Sequence, residues 1–410
     1  MKPATRIDPA TWMARPQTLA IMKALSAGGQ EARFVGGCVR DALMGLPVRD
    51  IDIATPEVPE RVIHLIGEAG LKSVPTGIEH GTITALSEGI PFEITTLRRD
   101  IESFGRRARV RFTKDWAEDA ARRDLTLNAL YCDADGNVYD PVGGLSDLKA
   151  GRIRFVGDAQ ARIEEDILRL VRYFRFLAFY GVEPADKATL SVCCEMAPLI
   201  KNLSVERLWK ELSTILLAPD PSSAFGLMAT HAILPHLLPE AVRVDLLARL
   251  VRVEEATGKS PNYLRRLATI VDLDKNGADK LASRLKFSAK ERRRFINLCA
   301  PAFLPDAQAN LKENRVTLYH LGQELFTELA LIKATRVPDQ EWLQLIALPT
   351  EIYLPEFSLI GQDVLDMGVP EGQKIGELLG QVESWWVAGD FVADRDECLE
   401  YLCSLTATRS

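Results

Sequence analysis

Two aspartates separated by one residue form the most chemically suggestive pattern in the sequence. Asp50 and Asp52 lie in the run RDIDIAT, which alternates polar and apolar residues as a half-buried strand does. On a strand both carboxylates point to the same face, with backbone positions about 6.5 Å apart. They could therefore bind one or two divalent cations, and oxygen ligands suit Mg²⁺.

A glycine pair and an arginine precede this strand in the run FVGGCVRD. Gly37 allows the backbone to approach a triphosphate without interference from a Cβ atom. Arg40 supplies a guanidinium group for phosphate oxygens, and backbone N–H groups of the turn can add hydrogen bonds. A lone Asp-x-Asp pattern also fits a solvated strand face, but its position after this turn favours metal-assisted chemistry on a nucleotide.

Two further segments carry polar residues suited to the same chemistry. Glu93 lies in the apolar-rich run PFEITTLR, where a charged side chain is either at a sheet edge or in a functional cleft. Beside a two-aspartate strand it becomes a candidate third carboxylate. Arg123 lies in RRDLTLNAL, where two arginines precede Asp, Thr and Asn. These residues suit contacts with a triphosphate or a sugar. The alternative is a helix with a basic first turn, which the helix dipole does not favour.

A predicted helix after residue 158 carries an acid and three arginines that could recognise a base. Asp166 and Arg169 are three residues apart and therefore neighbours on a helix, where an ordinary salt bridge is the alternative. Arg172 and Arg175 follow at further three-residue steps, so the four side chains cannot all share one narrow face of that helix. Aspartate only accepts and arginine only donates hydrogen bonds. Cytosine and adenine each present an amino donor beside a ring-nitrogen acceptor, so the pair matches both bases. Guanine and uracil would leave buried charged groups unpaired, at ~1–3 kcal/mol or more for each.

Composition excludes several classes of protein. The chain has 410 residues, 47% hydrophobic and 26% charged, as in soluble globular proteins, and it contains no apolar run long enough to span a membrane. Seven scattered cysteines and the lack of a signal-peptide pattern indicate reduced thiols in the cytoplasm. The net charge of −7 argues against nucleic-acid binding through bulk charge, so such binding needs a local basic surface.

Hydrophobic patterning predicts an α/β head of about 150 residues followed by an all-helical remainder. One helix is expected from about Pro56 to Ala69, and another, capped by Ser204, contains Leu208 and Leu212 on its apolar face. The predicted strands of the head are Arg33–Val35, Asp50–Ala54, Leu71–Val74, Thr82–Leu86, Phe92–Leu97 and Leu130–Cys132.

Taken together, the motifs resemble those of the class II tRNA nucleotidyltransferases, or CCA-adding enzymes, and of the related bacterial poly(A) polymerases. Matching segments occur in the family's order over residues 33–215: GGCVRD, RDIDIAT, FEITTLRRD, RRDLTLNALYCD, DPVGG, RIEEDILRLVRYFRF and SVERLWKEL. The resemblance implies a seahorse-like arrangement with a DNA polymerase β-like nucleotidyltransferase head. It implies four parts: the α/β head in residues 1–150, a helical neck for base recognition in 151–215, a helical body in 216–300 and a helical, tRNA-binding tail in 301–410.

The resemblance also implies a role for each candidate residue. The catalytic carboxylates would be Asp50, Asp52 and Glu93, of which Asp50 and Asp52 would bind Mg²⁺. The nucleotide-binding residues would be Gly37, Arg40, Arg123, Asp166, Arg169, Arg172 and Arg175. Asp166 and Arg169 would form the amino-acid template for C and A. The implied reaction is attack of the tRNA 3′-hydroxyl on the α-phosphate of CTP or ATP, assisted by two metal ions and releasing pyrophosphate.

Within the family, the sequence favours full CCA addition. None of the five histidines is followed by Asp, so no His-Asp phosphohydrolase activity is expected. The acidic composition disfavours a poly(A) polymerase, and a complete flexible loop from Arg99 to Glu118 disfavours an enzyme restricted to adding CC. A partial enzyme that adds only CC or only A is the remaining alternative within the family. A non-catalytic RNA-binding protein is the alternative from another class, but it would need no metal ligands. The expected partners are the 3′ end and acceptor arm of tRNA, with CTP and ATP as substrates and neither a membrane nor DNA.

Two features of the helical remainder are candidates for RNA contact. Residues 284–294 contain six basic side chains and one acid, an arrangement that equally fits a solvated helix face. As phosphate ligands they would recognise the shape and backbone of RNA rather than its sequence. Trp385 and Trp386 could stack on RNA, although core packing is expected for at least one of them.

Overall fold

The chain divides into two compact units, unit 1 (residues 1–239) and unit 2 (residues 240–410). The structure is a computed structural model that describes residues 1–9, 12–104, 107–182, 184–336 and 340–407, without the side chains of 101–104, 107–109 and 340. Over those residues, no helix combines the length and the apolar character needed to cross a bilayer. The finer boundaries expected at residues 150, 215 and 300 stay predictions.

A mixed β-sheet with surrounding helices forms the head. The strands are β1 (Thr5–Arg6), β2 (Arg33–Val35), β3 (Asp52–Thr55), β4 (Lys72–Gly77), β5 (Thr82–Ser87), β6 (Ile90–Thr96), β7 (Arg98–Phe104), β8 (Arg107–Phe112), β9 (Tyr131–Cys132) and β10 (Asn137–Tyr139). Eight of them form one sheet in the order β1-β10-β9-β2-β3-β6-β5-β4, and β7 pairs with β8. Strands β3 and β6 are parallel, whereas β2 pairs antiparallel with both β3 and β9.

The helices of unit 1 flank the sheet and then continue as a helical array. They are α1 (Pro16–Ser26), α2 (Gly37–Leu43), α3 (Pro59–Glu68), α4 (Trp116–Ala121), α5 (Gly144–Ala150), α6 (Ala159–Glu165), α7 (Leu168–Tyr180), α8 (Lys187–Met196), α9 (Val205–Leu216), α10 (Ser222–Thr230) and α11 (Leu234–Leu237). The α/β head followed by helices confirms the predicted fold class.

Alternation along β3 determines which side of the sheet carries polar chemistry. Ile51 and Ile53 are buried in a core that also contains Phe34, whereas Ala54 packs into a second core on the other side of the sheet. Asp52 shares the side of Ala54, because side chains two residues apart on a strand point the same way. The sequence pattern therefore places one carboxylate of the Asp-x-Asp motif on the face opposite the main core.

All six predicted strands are present, with ends shifted by up to three residues. Asp50 precedes β3 rather than lying within it, and helix α3 begins at Pro59, because proline suits the first helical position. The segment expected as a flexible loop after Arg99 instead contains the antiparallel strands β7 and β8 and then α4, whereas residues 105–106 of that segment lie outside the described residues. The alternation of basic and apolar residues in RARVRF is typical of a strand and accounts for β8.

Residues 159–180 form two helices where the apolar periodicity predicts one. Asp166 lies between α6 and α7 in an extended conformation, with φ −156° and ψ 106°. Its side chain accepts a hydrogen bond from the Leu168 N–H (3.2 Å), so it caps α7 locally. The prediction that Asp166 and Arg169 are neighbours on one helix is therefore wrong.

Unit 2 is helical over the part that the structure describes. Its helices are α12 (Asp245–Ala256), α13 (Tyr263–Ile270), α14 (Lys275–Arg284), α15 (Ala289–Cys299), α16 (Leu311–Ala334), α17 (Gln340–Glu351), α18 (Gly361–Asp366), α19 (Gln373–Ala388) and α20 (Arg395–Ala407). Helix α16 is kinked at Gly322, whose φ of 73° and ψ of 162° suit glycine. Trp386 is buried in a core of α18–α20, which confirms core packing for one of the two tryptophans, and Trp385 stacks on Tyr401 (4.5 Å).

Candidate nucleotide-binding active site

The three predicted carboxylates lie on β3 and β6 or just before β3. The parallel register pairs Asp52 with Glu93, and Asp50 lies two residues before the start of β3. Burial raises the pKa of Asp52 to about 6, reinforced by the negative charges of Glu93 and Asp50 and opposed by Arg123. A divalent cation would relieve this repulsion, and carboxylate oxygens are the ligands that hard cations prefer. The donor set therefore fits a metal ion.

The protein side chains alone do not complete a metal site. Within the described part of the chain, no three His, Cys, Asp or Glu side chains are grouped so as to hold an ion. Asp50 and Asp52 line the neighbouring cleft, whereas Glu93 does not. Such an open donor set is typical of ions that share their ligands between protein, water and substrate phosphates.

A cleft of about 560 Å³ adjoins the carboxylates within unit 1. Seven of the ten predicted site residues line it: Gly37, Arg40, Asp50, Asp52, Arg123, Arg172 and Arg175. Residues to which the sequence analysis assigned no individual role complete the walls: Gly36, Arg49, Asp124, Asn128, Phe176, Phe179, Tyr180 and Thr214. Glu93, Asp166 and Arg169 do not belong to its lining. The cleft thus combines carboxylates, guanidinium groups and an aromatic wall.

The glycine turn brings backbone to the cleft surface. Gly36 has φ 72° and ψ −121°, a conformation that L-residues rarely adopt, and α2 begins at Gly37 immediately afterwards. Arg40, on α2, is buried and donates hydrogen bonds to Asp41 (2.9 Å) and to the Asn128 side chain (2.7 Å). Its guanidinium also lies 4.4 Å from the centre of the Tyr180 ring. These contacts hold Arg40 in one orientation beside the turn.

A buried aspartate orients Arg123. Asp119, only 1% exposed, accepts hydrogen bonds from Arg122 (2.8 Å), Arg123 (3.0 Å) and the Tyr131 hydroxyl (2.7 Å). Burial alone would raise the pKa of Asp119, but the guanidinium groups of Arg123 and Arg122 hold it well below its usual range. Both arginines follow the C-terminal end of α4, where the helix dipole favours positive charge.

The arginines of α7 have acceptors of their own. Arg172 pairs with Asp124 (2.6 Å), and Arg175 pairs with Glu211 of α9 (2.9 Å). Burial alone would raise the pKa of Asp124, but Arg172 and several hydrogen bonds hold it well below its usual range. Each of these arginines therefore reaches the cleft with a carboxylate already bound to it.

The two residues predicted to recognise the base are bonded elsewhere. Asp166 pairs with Arg207 of α9 (2.6 Å), and Arg169 pairs with Glu165 and donates to the backbone oxygen of Arg122 (3.2 Å). The intrahelical Asp166–Arg169 salt bridge considered from the sequence is not among the observed ion pairs of these residues. Arg169 nevertheless lies on the same helix, α7, as Arg172 and Arg175, which do line the cleft.

Sequence reasoning missed the carboxylates that orient the arginines. Glu211 carried a detectable signal, because it lies three residues after Leu208 and four before Ile215, on the apolar stripe of α9. A charged residue at such a position needs a buried partner. Asp119 carried no comparable signal, because α4 is short and its polar residues show no pattern.

Much of the basic segment of unit 2 is paired within the protein. Arg284 pairs with Glu240, Arg292 with Asp279, and Arg294 with Glu324 and Glu328. Lys290 and Arg293 line a second cavity of about 680 Å³ beside the Gly322 kink. The solvated-face interpretation therefore accounts for several of these charges, and Lys290 and Arg293 stay candidates for RNA contact.

Comparison with known proteins places the head in a defined class. Residues 32–154 match the family model described as "Poly A polymerase head domain", and residues 185–243 match "Probable RNA and SrmB- binding site of polymerase A". The matched head contains both β3 and β6 and the glycine turn. The fold and these matches define the protein as a nucleotidyltransferase.

Similarity to named proteins over most of the chain identifies the family within the nucleotidyltransferase class. The Mus musculus protein named CCA tRNA nucleotidyltransferase 1, mitochondrial, is 32% identical over 399 residues, 91% of this chain and 86% of the relative. The CCA-adding enzyme of Lacticaseibacillus paracasei is 31% identical over 386 residues, 90% of this chain and 92% of the relative. The crystal structure of the Bacillus stearothermophilus CCA-adding enzyme in complex with CTP has a TM-score of 0.72 at 26% identity, covering 98% of this chain and 99% of that one. The chain belongs to the CCA tRNA nucleotidyltransferase family.

Proposed function

We propose that this protein adds C, C and A to the 3′ end of tRNA from CTP and ATP, releasing pyrophosphate and using no nucleic-acid template. The observation that carries the proposal is the cleft, which is lined by Asp50, Asp52 and four arginines that each pair with a carboxylate. Membership of the CCA tRNA nucleotidyltransferase family supports the same activity.

The residues of the cleft suit the attack of a hydroxyl on an α-phosphate. Asp50 and Asp52 would hold Mg²⁺, which when bound activates the attacking 3′-hydroxyl and stabilises the leaving pyrophosphate. Arg40 and Arg123 would bind phosphate oxygens, and the bare backbone at Gly37 would allow close approach. Because the guanidinium groups are already oriented, little reorganisation is needed as charge develops on the phosphates.

We further propose that Asp166 and Arg169 select the base. Aspartate accepts and arginine donates, so together they complement the Watson–Crick edges of cytosine and adenine and reject those of guanine and uracil. Arg207 and Glu165 hold these side chains in the observed state. Base recognition would therefore exchange those ion pairs for hydrogen bonds to the nucleotide, with Arg172 and Arg175 as further contacts.

The proposed macromolecular partner is the 3′ end and acceptor arm of tRNA. Lys290 and Arg293 are exposed on unit 2, where they could contact the RNA backbone without reading its sequence. We infer a cytoplasmic location, since all seven cysteines are unpaired, as is usual in a reducing compartment. The mouse relative is named as mitochondrial, a compartment that the cysteines do not distinguish.

Single-nucleotide incorporation tests the proposal. The protein is incubated with Mg²⁺, one labelled nucleotide at a time, and tRNA transcripts that end before CCA, after C or after CC. Two CMP additions and one AMP addition, with no GMP or UMP, are expected. Long A tails would instead indicate a poly(A) polymerase, arrest after CC a partial enzyme, and no incorporation a non-catalytic RNA-binding protein.

Substitution of the carboxylates separates catalysis from binding. Asp50→Ala and Asp52→Ala should each abolish incorporation and leave tRNA binding largely intact, because the metal ligands contribute to the transition state rather than to RNA affinity. Asp8→Asn, at an exposed carboxylate of the same unit, is the control and should incorporate normally. Near-normal activity of either Asp50→Ala or Asp52→Ala would rule out the metal assignment.

A further inference from the structure

Glu211 is a buried carboxylate that touches the cleft only through other residues. It lies on α9 with 4% of its surface exposed, amid Leu208, Leu212 and Ile215 of the same helix. Its Oε2 atom is 2.9 Å from Nη1 of Arg175, and its Oε1 atom is 3.9 Å from Nη1 of Arg172. Both arginines line the cleft, whereas Glu211 does not. The carboxylate therefore lies behind the guanidinium groups as seen from the nucleotide site.

Arg172 and Arg175 depend on the negative charge of Glu211 to different degrees. Arg172 has a second carboxylate, Asp124, which accepts a hydrogen bond from its Nε (2.7 Å) and lies 2.6 Å from its Nη2 as an ion pair. Arg175 is paired with Glu211. Burial and the adjacent positive charge of Arg172 both lower the pKa of Arg175, an effect that the charge of Glu211 opposes. Loss of the Glu211 charge should therefore disturb Arg175 first.

Stability alone does not explain a carboxylate at this position. A buried ion pair contributes little beyond what well-packed apolar side chains of similar volume would provide. What the carboxylate adds is orientation. Its Oε2 atom forms an ion pair with Arg175 without the alignment of a hydrogen bond, and this pair restricts where the guanidinium and its N–H groups can lie. For Arg175 those groups lie at the wall of the cleft.

We propose that Glu211 is a positioning residue for nucleotide binding, which acts by fixing the guanidinium of Arg175 towards the nucleotide. This inference rests on the proposed function, namely that the cleft takes CTP and ATP. Glu211 itself contacts neither substrate, so its effect passes entirely through Arg175.

The first test measures CTP binding and single C addition by Glu211→Gln. The substitution keeps the shape and removes the charge, so the Kd for CTP should rise about tenfold, the effect of one weakened charge-assisted contact. The KM for CTP should rise with it while kcat stays within about twofold, because a ground-state contact is lost. Glu211→Asp, which keeps the charge, should recover part of the affinity.

Glu254→Gln provides a matched control. Glu254 is 2% exposed and pairs with Arg265 and Arg266 (2.6 Å each), so it is also a buried carboxylate between two arginines, but in unit 2. Its loss should lower thermal stability and leave CTP affinity at the wild-type value. Equal losses of CTP affinity in both variants would mean that Glu211 acts only through general stability, and the proposal would be wrong.

A pair of variants decides the question even if Glu211→Gln does not fold. Arg175→Gln should weaken CTP binding, and Arg175→Gln/Glu211→Gln removes both buried charges and so leaves none uncompensated. If Glu211 acts through Arg175, the single variant Arg175→Gln and the double variant should bind CTP equally, because Glu211 can no longer affect binding once the Arg175 guanidinium is gone. Weaker binding by the double variant, or wild-type binding by Glu211→Gln, would overturn the inference. Absence of CTP addition by the wild-type protein would instead refute the proposed function.

Discussion

Replacement of Asp119 by asparagine isolates the charge that holds Arg122 and Arg123 together. The variant keeps the side-chain shape and one acceptor oxygen, but it leaves two guanidinium groups without their buried counter-charge. Breaking a buried ion pair in this way costs ~3–5 kcal/mol. For a unit of this size, that loss corresponds to a fall in melting temperature of roughly 6–20 °C.

The same variant should change how stability depends on pH. The pKa of Asp119 is held well below its usual range in the folded protein, so the unfolded chain takes up a proton first as pH falls. The Asp119 carboxylate therefore makes its full contribution to the free energy of unfolding above about pH 4. This contribution is lost on further acidification, at about 1.4 kcal/mol per pH unit. Asp119→Asn lacks this group. The stability difference between wild type and variant should stay constant from pH 5 to 8 and shrink below pH 4.

Urea unfolding followed by circular dichroism, repeated between pH 3 and 8, measures both effects. Tyr131→Phe removes one of the hydrogen bonds to Asp119 but keeps both ion pairs, so it should destabilise by only about 1–2 kcal/mol. Asp8→Asn, at an exposed site, should match wild type at pH 7. A variant Asp119→Asn within 1 kcal/mol of wild type at pH 7, or a difference that does not shrink in acid, would refute the reasoning.

Three substitutions test packing and backbone elsewhere. Gly144→Ala would place a Cβ atom 2.1 Å from the Thr126 carbonyl oxygen, so thermal unfolding should show a loss of ~1–3 kcal/mol or more. Trp386→Ala should cost ~3–5 kcal/mol in urea unfolding because the ring is 4% exposed, whereas Trp385→Ala should cost about 1 kcal/mol; equal losses would contradict this difference in burial. Gly322→Ala should cost ~1–3 kcal/mol through its backbone conformation alone, since a Cβ there meets open space, and an unchanged urea midpoint would count against that strain.

Local patterns accounted for much of the head but not for its contacts. The alternation of RDIDIAT and the proline at the start of α3 predicted the strand and the helix that position Asp52, because both signals act within a few residues. The glycine pair likewise predicted the turn at Gly37, where only Gly36 adopts the positive φ. The Asp52–Glu93 pairing depends on the register of strands about 40 residues apart, which the sequence does not encode locally.

The break at Asp166 shows why periodicity failed in one place. Ile163, Ile167 and Leu170 continue a helical period across the break, so the pattern predicts one helix. The structure ends α6 there because the Asp166 side chain caps α7 and pairs with Arg207, a residue 41 positions later. Such a competition between local propensity and a long-range ion pair is decided only in the folded chain. Asp119, the acceptor of Arg122 and Arg123, likewise lies on a helix too short to show a pattern.

The pairing of the cleft arginines also determines how a nucleotide can be charge-balanced. Five arginines line the cleft, and six carboxylates either line it or pair with them: Asp41, Asp50, Asp52, Asp119, Asp124 and Glu211. The cleft therefore carries no excess of positive charge, although it is rich in arginine. A nucleoside triphosphate would have to arrive with a cation of its own to offset its phosphates. Chelation of divalent ions should accordingly weaken the binding of CTP itself and not only its turnover.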